Sequence, residues 1–293
     1  MKKTALSILF LTFLFSCKDS KVENNSATEV KANTISLLPS TNEQILTENN
    51  GYWVGDFIAK KFKDDKEFVF SNKISINIKG IYKQEAVAES IVAGNVRPMT
   101  GIFNKETTSL VFNLKEPGDD KYDGVFKFKI EGDTLSGIWY SNNKQSTVTE
   151  REFKLVKCNF VYNPENMIPN DHELIDWYTK KPASANYEQF DEDVYRAASE
   201  KVTILNASTT KFNEKMLKNL KKIDLEIIRN TIYARHGLSF KKKTFRQFFD
   251  PVNWYIPTSK DVSADLTPLE FENIVLLKKL EKYATDNYDS FGR

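Results

Sequence analysis

One short segment of the chain brings together side chains that could bind a ligand or transfer a proton. Arg229, Tyr233 and His236 follow one another at i, i+4 and i+7, so one face of a helix would present all three. Arg235 lies in the same turn, and Trp254 follows in an aromatic-rich stretch. Grouped in space, these residues would form a polar and aromatic pocket suited to an anionic or glycan ligand.

A structural interpretation of the same residues is equally concrete, and we favour it. Cations in the last turn of a helix are stabilised by the helix dipole. Arg235 and His236 would then cap carbonyl groups while Tyr233 and Trp254 pack in the core. The sequence contains no nucleophile–base–orienter set, His-x-Glu pair or phosphate-binding glycine loop. It therefore favours a protein without catalytic activity, with Tyr233, Arg235, His236 and Trp254 as the candidate ligand contacts.

Helices are predicted on both sides of this segment. Gly237 is expected to end the first helix with a positive φ angle, followed by a Schellman cap at Leu238. Thr267-Pro268-Leu269-Glu270 has the pattern of a capping box and predicts a last helix to about Tyr283. Apolar residues at helical spacing predict the buried faces: Leu217, Leu220, Ile223, Leu225, Ile227, Ile228 and Ile232 in the first helix, and Phe271, Ile274, Val275, Leu277 and Leu280 in the last.

The pentapeptide 233–237, Arg229-Asn230 before it, and Phe240, Trp254-Tyr255 and Pro257 after it resemble the YARHG domain. This is a small helical module of bacterial envelope proteins, and the resemblance covers about residues 202–285. It implies a location outside the cytoplasm and no established catalytic activity.

Residues 51–157 have the alternation of half-buried antiparallel strands. Phe126, Phe128 and Ile130 alternate with lysines, and polar turns separate about eight such runs. Eight meandering strands favour closure into a barrel. The opening Gly51-Tyr52-Trp53 resembles the Gly-x-Trp of lipocalin and calycin barrels, which implies that Trp53 plugs one end and Arg151 on the last strand packs over it.

The first residues are typical of an export signal. Lys2 and Lys3 precede eleven mostly apolar residues, too few for a membrane-spanning helix of about 20 residues. The run ends at Leu14-Phe15-Ser16-Cys17, which resembles the lipobox of bacterial lipoproteins. That resemblance implies lipidation of Cys17 and anchoring in the cell envelope, with the outer membrane of a Gram-negative bacterium as the expected location.

The other candidate ligands for metals or cofactors are sparse. Cys158 has no intrachain partner once Cys17 is lipidated, which excludes a cysteine-based zinc site. His172 has no second histidine at ligand spacing and is expected at the surface. The acidic run 191–193 lacks a calcium-loop pattern. No metal and no cofactor are therefore predicted.

The predicted fold class is α+β with two domains, an antiparallel β-barrel and a small all-α domain. The predicted segments are a signal peptide (1–16), a flexible tether (17–50), the barrel (51–157), a connector with short helices (158–201), the YARHG domain (202–285) and a tail (286–293).

The formal charge of +2 and the export signal argue against nucleic acid as a partner. The basic run Lys241–Lys243 with Arg246 is expected to be solvated, or to contact anionic envelope components.

The resulting function hypothesis is a lipid-anchored envelope protein with a non-catalytic binding or structural role. Its expected partners are the membrane and peptidoglycan, another glycan or a second envelope protein. The first alternative is a carrier of a small apolar ligand inside the barrel, which needs an open interior. The second is a cell-wall hydrolase, which needs a cleft where two carboxylates, or His236 and a carboxylate, converge. The sequence leaves the oligomeric state open.

Overall fold

A computed structural model describes residues 47–181 and 194–286. The lipidation prediction for Cys17, most of the tether and the acidic run 191–193 lie outside the described residues. The first part is a closed barrel of eight antiparallel strands, each paired with its sequence neighbours, with β1 also paired with β8. The strands are β1 Gly51–Phe62, β2 Ser71–Tyr82, β3 Glu85–Val92, β4 Asn95–Lys105, β5 Leu110–Lys115, β6 Gly124–Glu131, β7 Thr134–Ser141 and β8 Val148–Cys158. The predicted barrel is confirmed.

The barrel interior is packed with large apolar side chains. Phe126, Phe128 and Ile130 point inward from β6, as their alternation with lysines predicts. The rings of Phe112 and Phe128 stack at 4.7 Å, and Phe153 lies 6.3 Å from Phe128. Close packing of this kind fills the space between the strands with side chains.

Trp53 lies buried near one end of the barrel, where its indole N–H donates a hydrogen bond to the Asn49 carbonyl at 3.1 Å. The prediction that Arg151 packs over Trp53 is wrong. In the β1–β8 register Trp53 pairs with Lys157, whereas Arg151 pairs with Ala59, further along β1. Lys157 therefore lies 5.9 Å from the Trp53 ring, and the Arg151 guanidinium lies over the ring of Phe57 instead.

The C-terminal part contains three helices, α1 Lys222–Arg235, α2 Lys243–Phe249 and α3 Pro268–Asp286, with 3₁₀ turns at Glu200–Thr203 and Ser263–Asp265. Leu217 and Leu220 are buried as predicted but precede α1. Asn219 has φ +67°, a left-handed conformation that cannot continue a right-handed helix. The helical spacing of these two leucines therefore reflects a packed turn.

The end of α1 is a Schellman cap, as the sequence predicts. The Leu238 N–H donates to the Tyr233 carbonyl and the Gly237 N–H to the Ala234 carbonyl, both at 3.0 Å. Gly237 has φ +79°, and a Cβ placed there would collide with the Thr258 hydroxyl. Glycine is required here for both reasons.

Replacing Gly237 with alanine should therefore destabilise the fold. The left-handed backbone alone costs about 1–2 kcal/mol for a residue with a Cβ, and the collision adds to it. Urea denaturation followed by circular dichroism measures the loss. A Gly132→Ala variant is the matched control, since Gly132 also has a positive φ but open space around its Cβ position. Equal losses in the two variants would contradict the role of the collision with Thr258.

The connector differs from its prediction. Within the connector 158–201, where short helices are predicted, Ile175–Lys181 is instead strand β9 and pairs with strand β10, Val194–Ala197. The Arg196 guanidinium lies 2.8 Å from the carboxylate of Asp176, which is fully buried. This ion pair links the two strands in addition to their backbone hydrogen bonds.

The last helix buries a narrower face than predicted. Ile274, Leu277 and Leu280 are in the core, whereas Phe271 and Val275 are 61% and 55% exposed, so their prediction as core residues is wrong. Phe271 and Val275 therefore lie on the solvent face of α3. Among the described residues, no helix has both the length and the apolar character needed to cross a membrane.

Candidate functional site

Arg235 and His236 of the sequence motif are buried at the end of α1. The Arg235 guanidinium donates hydrogen bonds to the Asn166 carbonyl at 2.7 Å and the Ser208 hydroxyl at 2.9 Å, and contacts the Met167 sulfur. His236 stacks against the ring of Tyr162 at 4.3 Å. Arg235 therefore joins the helix end to the connector before it.

Glu270 is the residue on which this region converges, and it is fully buried. Its carboxylate accepts five hydrogen bonds. Two come from the hydroxyls of Tyr162 and Ser208, at 3.0 and 2.5 Å, one comes from His236 Nε2 at 2.8 Å, and two come from the backbone N–H and hydroxyl of Thr267. The Glu270 N–H in turn donates to the Thr267 hydroxyl, so the predicted capping box is present. We call this set of residues the Glu270 cluster.

The Glu270 cluster holds its carboxylate in the charged form. Burial by itself would raise the pKa of Glu270, but the hydrogen bonds from His236, Ser208 and Thr267 outweigh it and lower the pKa to about 2. Burial also lowers the pKa of Arg235 to about 10, an effect that the Glu270 charge partly offsets. The buried charges are thus of opposite sign and surrounded by donors and acceptors.

His236 and a carboxylate do converge, as the hydrolase hypothesis requires, but in the core. Ser208 donates its hydroxyl proton to Glu270, so it does not form the serine–histidine contact that activates a nucleophile. The carboxylate already accepts five hydrogen bonds, which leaves it little capacity to take a proton from a substrate. This geometry fits a structural clamp between the ends of α1 and α3.

The other two candidate contact residues are half-buried. The Trp254 indole N–H donates to the Met167 carbonyl at 2.8 Å, so Trp254 and Arg235 meet at the same connector segment. Arg229 forms a two-pronged ion pair with Glu281 on α3 and lies 5.9 Å from the Tyr233 ring. Arg229 is thereby engaged with α3, and the ligand-contact role of Tyr233, Arg235, His236 and Trp254 stays a prediction.

A cavity lies at the barrel end away from Trp53, and we call it the mouth cavity. Its volume is about 580 Å³. The loops β1–β2, β3–β4, β5–β6 and β7–β8 all contribute to its wall, and Lys241 and Arg246 contribute from the helical part. Phe57, Phe126 and Trp139 line its base, and we call these three residues the aromatic floor.

Three buried polar residues line the mouth cavity. Arg151 is 9% exposed and donates to the carbonyls of Phe57, Val69 and Phe70 at 2.8–3.1 Å, which holds the β1–β2 loop in place. The carboxylate of Glu116 accepts hydrogen bonds from Ser90 and from the Gly124 N–H. Asn72 is 7% exposed, and its Oδ1 has no hydrogen-bond partner among the described residues.

The helical part is held across the barrel mouth by specific contacts. The Gly94 N–H donates to the Ser239 hydroxyl at 3.0 Å, and Lys243 forms an ion pair with Glu67. A Cβ at Gly94 would lie 2.7 Å from that of Lys241, so only glycine permits this approach. These contacts fix the mouth cavity between two folded parts.

A second opening of about 910 Å³, the side cleft, lies between β1, β2 and α2. Asp250 accepts a hydrogen bond from the Lys73 N–H at 3.0 Å, while the Lys73 ammonium donates to the Val252 carbonyl. Burial raises the pKa of Asp250 to about 6, against the opposing effect of these donors.

His172, expected at the surface, is half-buried in the wall of the side cleft, and its Nε2 has no partner among the described residues. Burial lowers the pKa of His172.

Sequence reasoning did not find the mouth cavity. The resemblance to calycin barrels places Arg151 at the opposite barrel end, and the basic run predicts a solvated Arg246. Asn72 and Asp250 carry no local motif that marks them. The usable signal in the sequence is the position of Arg151 in the last strand. It stands two residues before Phe153, on the side of the strand that the alternation assigns to the barrel interior.

Comparison with known proteins identifies one region of the chain. Residues 200–282 match the family model of the YARHG domain. The predicted YARHG domain is therefore confirmed, and it contains α1, α2 and all but the last residues of α3. No curated protein and no solved structure matches the chain.

Proposed function

We propose that this YARHG-domain chain is a lipid-anchored cell-envelope protein with a non-catalytic binding role. Lipid on Cys17 anchors it, in the outer membrane of a Gram-negative bacterium. Its ligand is a component of the envelope and binds in the mouth cavity. The YARHG domain contributes one wall of that cavity and holds the Glu270 cluster as a structural clamp.

The mouth cavity carries this proposal. Ligand sites are concave, mostly preformed and lined by apolar side chains with a few fixed polar groups. The mouth cavity has these properties, since the aromatic floor lies beneath the fixed guanidinium of Arg151. Arg97 adds rigidity, because its guanidinium forms a two-pronged ion pair with Asp123, whose carboxylate also accepts from backbone N–H groups of the β5–β6 loop.

The two alternatives receive less support. A carrier of an apolar ligand would use the barrel interior, where stacked phenylalanines occupy the space between the strands. A hydrolase built on His236 would need substrate to reach Glu270, which is 0% exposed. Binding at the mouth requires neither an emptied interior nor access to the core.

The envelope location is supported by the leader that ends at Leu14-Phe15-Ser16-Cys17. Metabolic labelling with a fatty-acid analogue should mark the full chain, and Cys17→Ser should abolish the label. Cys158→Ser is the matched control and should label normally. An unlabelled chain, or a Cys17→Ser variant that still sediments with membranes, would overturn the anchoring proposal.

The binding role is tested separately by native mass spectrometry of the full chain purified from membranes in mild detergent. We expect a co-purified small molecule whose occupancy falls when Phe126 on the aromatic floor is replaced by leucine. The same change at Phe103, which is buried but does not line the cavity, is the control. Retention of the molecule in the Phe126→Leu variant and loss in the Phe103→Leu variant would refute the mouth cavity as the site.

A further inference from the structure

Two guanidinium groups line the mouth cavity without a carboxylate partner in the described part of the chain. Arg151 bonds three backbone carbonyls, which uses three of its five N–H donors. Arg246 makes one long hydrogen bond, 3.4 Å to the Lys241 carbonyl, and its Nε is buried without a partner. Neither forms an ion pair with a described residue.

Such an arrangement is costly in the absence of an anion. A buried charge is normally paired, because desolvation penalises it strongly. Burial, together with the positive charge of Arg246, lowers the pKa of Arg151 to about 10. Burial lowers the pKa of Arg246 as well, against the opposing charge of Asp250, which does not pair with it. The positive charge of Arg246 therefore destabilises the charged form of Arg151.

We propose that the mouth cavity binds a small organic anion whose carboxylate or phosphate lies between Arg151 and Arg246. The apolar ring or chain of this ligand lies on the aromatic floor. This inference rests on the proposed function, since it names the chemistry of the ligand at the same site. Guanidinium groups suit both oxyanions because their planar N–H donors match two oxygens at once.

The other charged residues of the cavity leave a positive excess. Lys121 and Lys241 add two cations to its wall. Of the two acidic residues, Glu67 is paired with Lys243. Glu116 is engaged by Ser90 and Gly124, and burial raises its pKa, which favours its neutral form.

Asn72 adds a requirement for a polar group on the ligand. Its Oδ1 is an unused acceptor in the wall shared by the mouth cavity and the side cleft. An unsatisfied buried acceptor is rare and costs free energy. A hydroxyl or amide N–H near the anionic group of the ligand would satisfy it.

Isothermal titration calorimetry of the full chain in detergent tests the charge requirement. The probes are benzoate, phenyl phosphate and neutral benzyl alcohol, which share a ring but differ in charge. We expect at least one of the two anions to bind, and to bind about tenfold or more tightly than the alcohol. The tighter of the two anions identifies the oxyanion. If neither anion binds, or if the alcohol binds equally well, the inference is overturned.

The guanidinium requirement is tested with Arg246→Gln, which should weaken binding of the anion about tenfold or more. Lys242→Gln is the matched control, because this neighbouring lysine is exposed and lines neither cavity. If Arg246→Gln does not fold, Arg246→Lys keeps the charge but loses the two-pronged geometry, and should still bind more weakly than the parent chain. Unchanged affinity in the folded Arg246 variant overturns the inference.

The outcomes separate this inference from the proposed function. Benzyl alcohol that binds as tightly as the anions, and loses affinity in the Phe126→Leu variant, would refute the anion while retaining the cavity as the ligand site. Loss of a co-purified molecule on Phe103→Leu but not on Phe126→Leu would refute the cavity itself.

Discussion

Replacing Glu270 with glutamine should lower the free energy of unfolding by about 3 kcal/mol at pH 7. The five donors of the Glu270 cluster face both carboxylate oxygens. Glutamine fills the same volume, but its NH₂ group would meet donors, and Arg235 would lose the charge that offsets its burial. Urea denaturation followed by circular dichroism measures the effect. Glu272→Gln, on the same helix but exposed and paired with Lys211, should change stability by less than about 0.5 kcal/mol.

The pH dependence of stability gives an independent check on Glu270. Its pKa is about 2 in the folded protein against 4.5 as the ordinary value. The stabilisation is therefore fully present above pH 4.5 and is lost as the pH falls from 4.5 towards 2. The shift corresponds to about 3 kcal/mol, in agreement with the expected cost of the substitution. A Glu270→Gln variant that loses as much stability on acidification as the parent would contradict this explanation.

Replacing Asp250 with asparagine should have the opposite effect to Glu270→Gln, because it should raise the free energy of unfolding at pH 7. Burial raises the pKa of Asp250 from 3.8 to about 6. The contribution of this group to stability is full below pH 3.8 and is lost as the pH rises through 6. The ionised side chain thus destabilises the fold above pH 6 by at most about 3 kcal/mol, because the side cleft lets water reach it. Asparagine removes that penalty, and its carbonyl oxygen can still accept from the Lys73 N–H.

Thermal melting at pH 4 and pH 7.5 distinguishes the removal of an ionised carboxylate from a stabilisation that is the same at both pH values. Asp250→Asn should raise the melting temperature at pH 7.5 and leave it nearly unchanged at pH 4. Asp133→Asn, in the exposed β6–β7 turn, should change neither value. A variant of Asp250 that is destabilised at pH 7.5 would mean that the ionised carboxylate stabilises the contact between β2 and the segment after α2.

The Glu270 cluster illustrates where prediction from sequence stopped. Arg235 and His236 were correctly located at the end of a helix, because a glycine at C′ and basic residues in the last turn are local signals. Glu270 was assigned its capping role for the same reason. That Tyr162, Ser208 and His236 all point at its carboxylate depends on contacts across 108, 62 and 34 residues of chain.

The amino-acid sequence alone determined the eight-stranded barrel, the cap that ends α1, the capping box that begins α3 and the YARHG domain. These follow from periodicity and from residues such as Gly237 and Thr267, whose effect is confined to a few neighbours in the chain. Only the tertiary structure decided which barrel end Arg151 occupies and where the helical part contacts the strands. Lys73 and Asp250 are 177 residues apart and yet share a hydrogen bond. Strand register and long-range packing set such contacts, and neither leaves a periodic signal in the sequence.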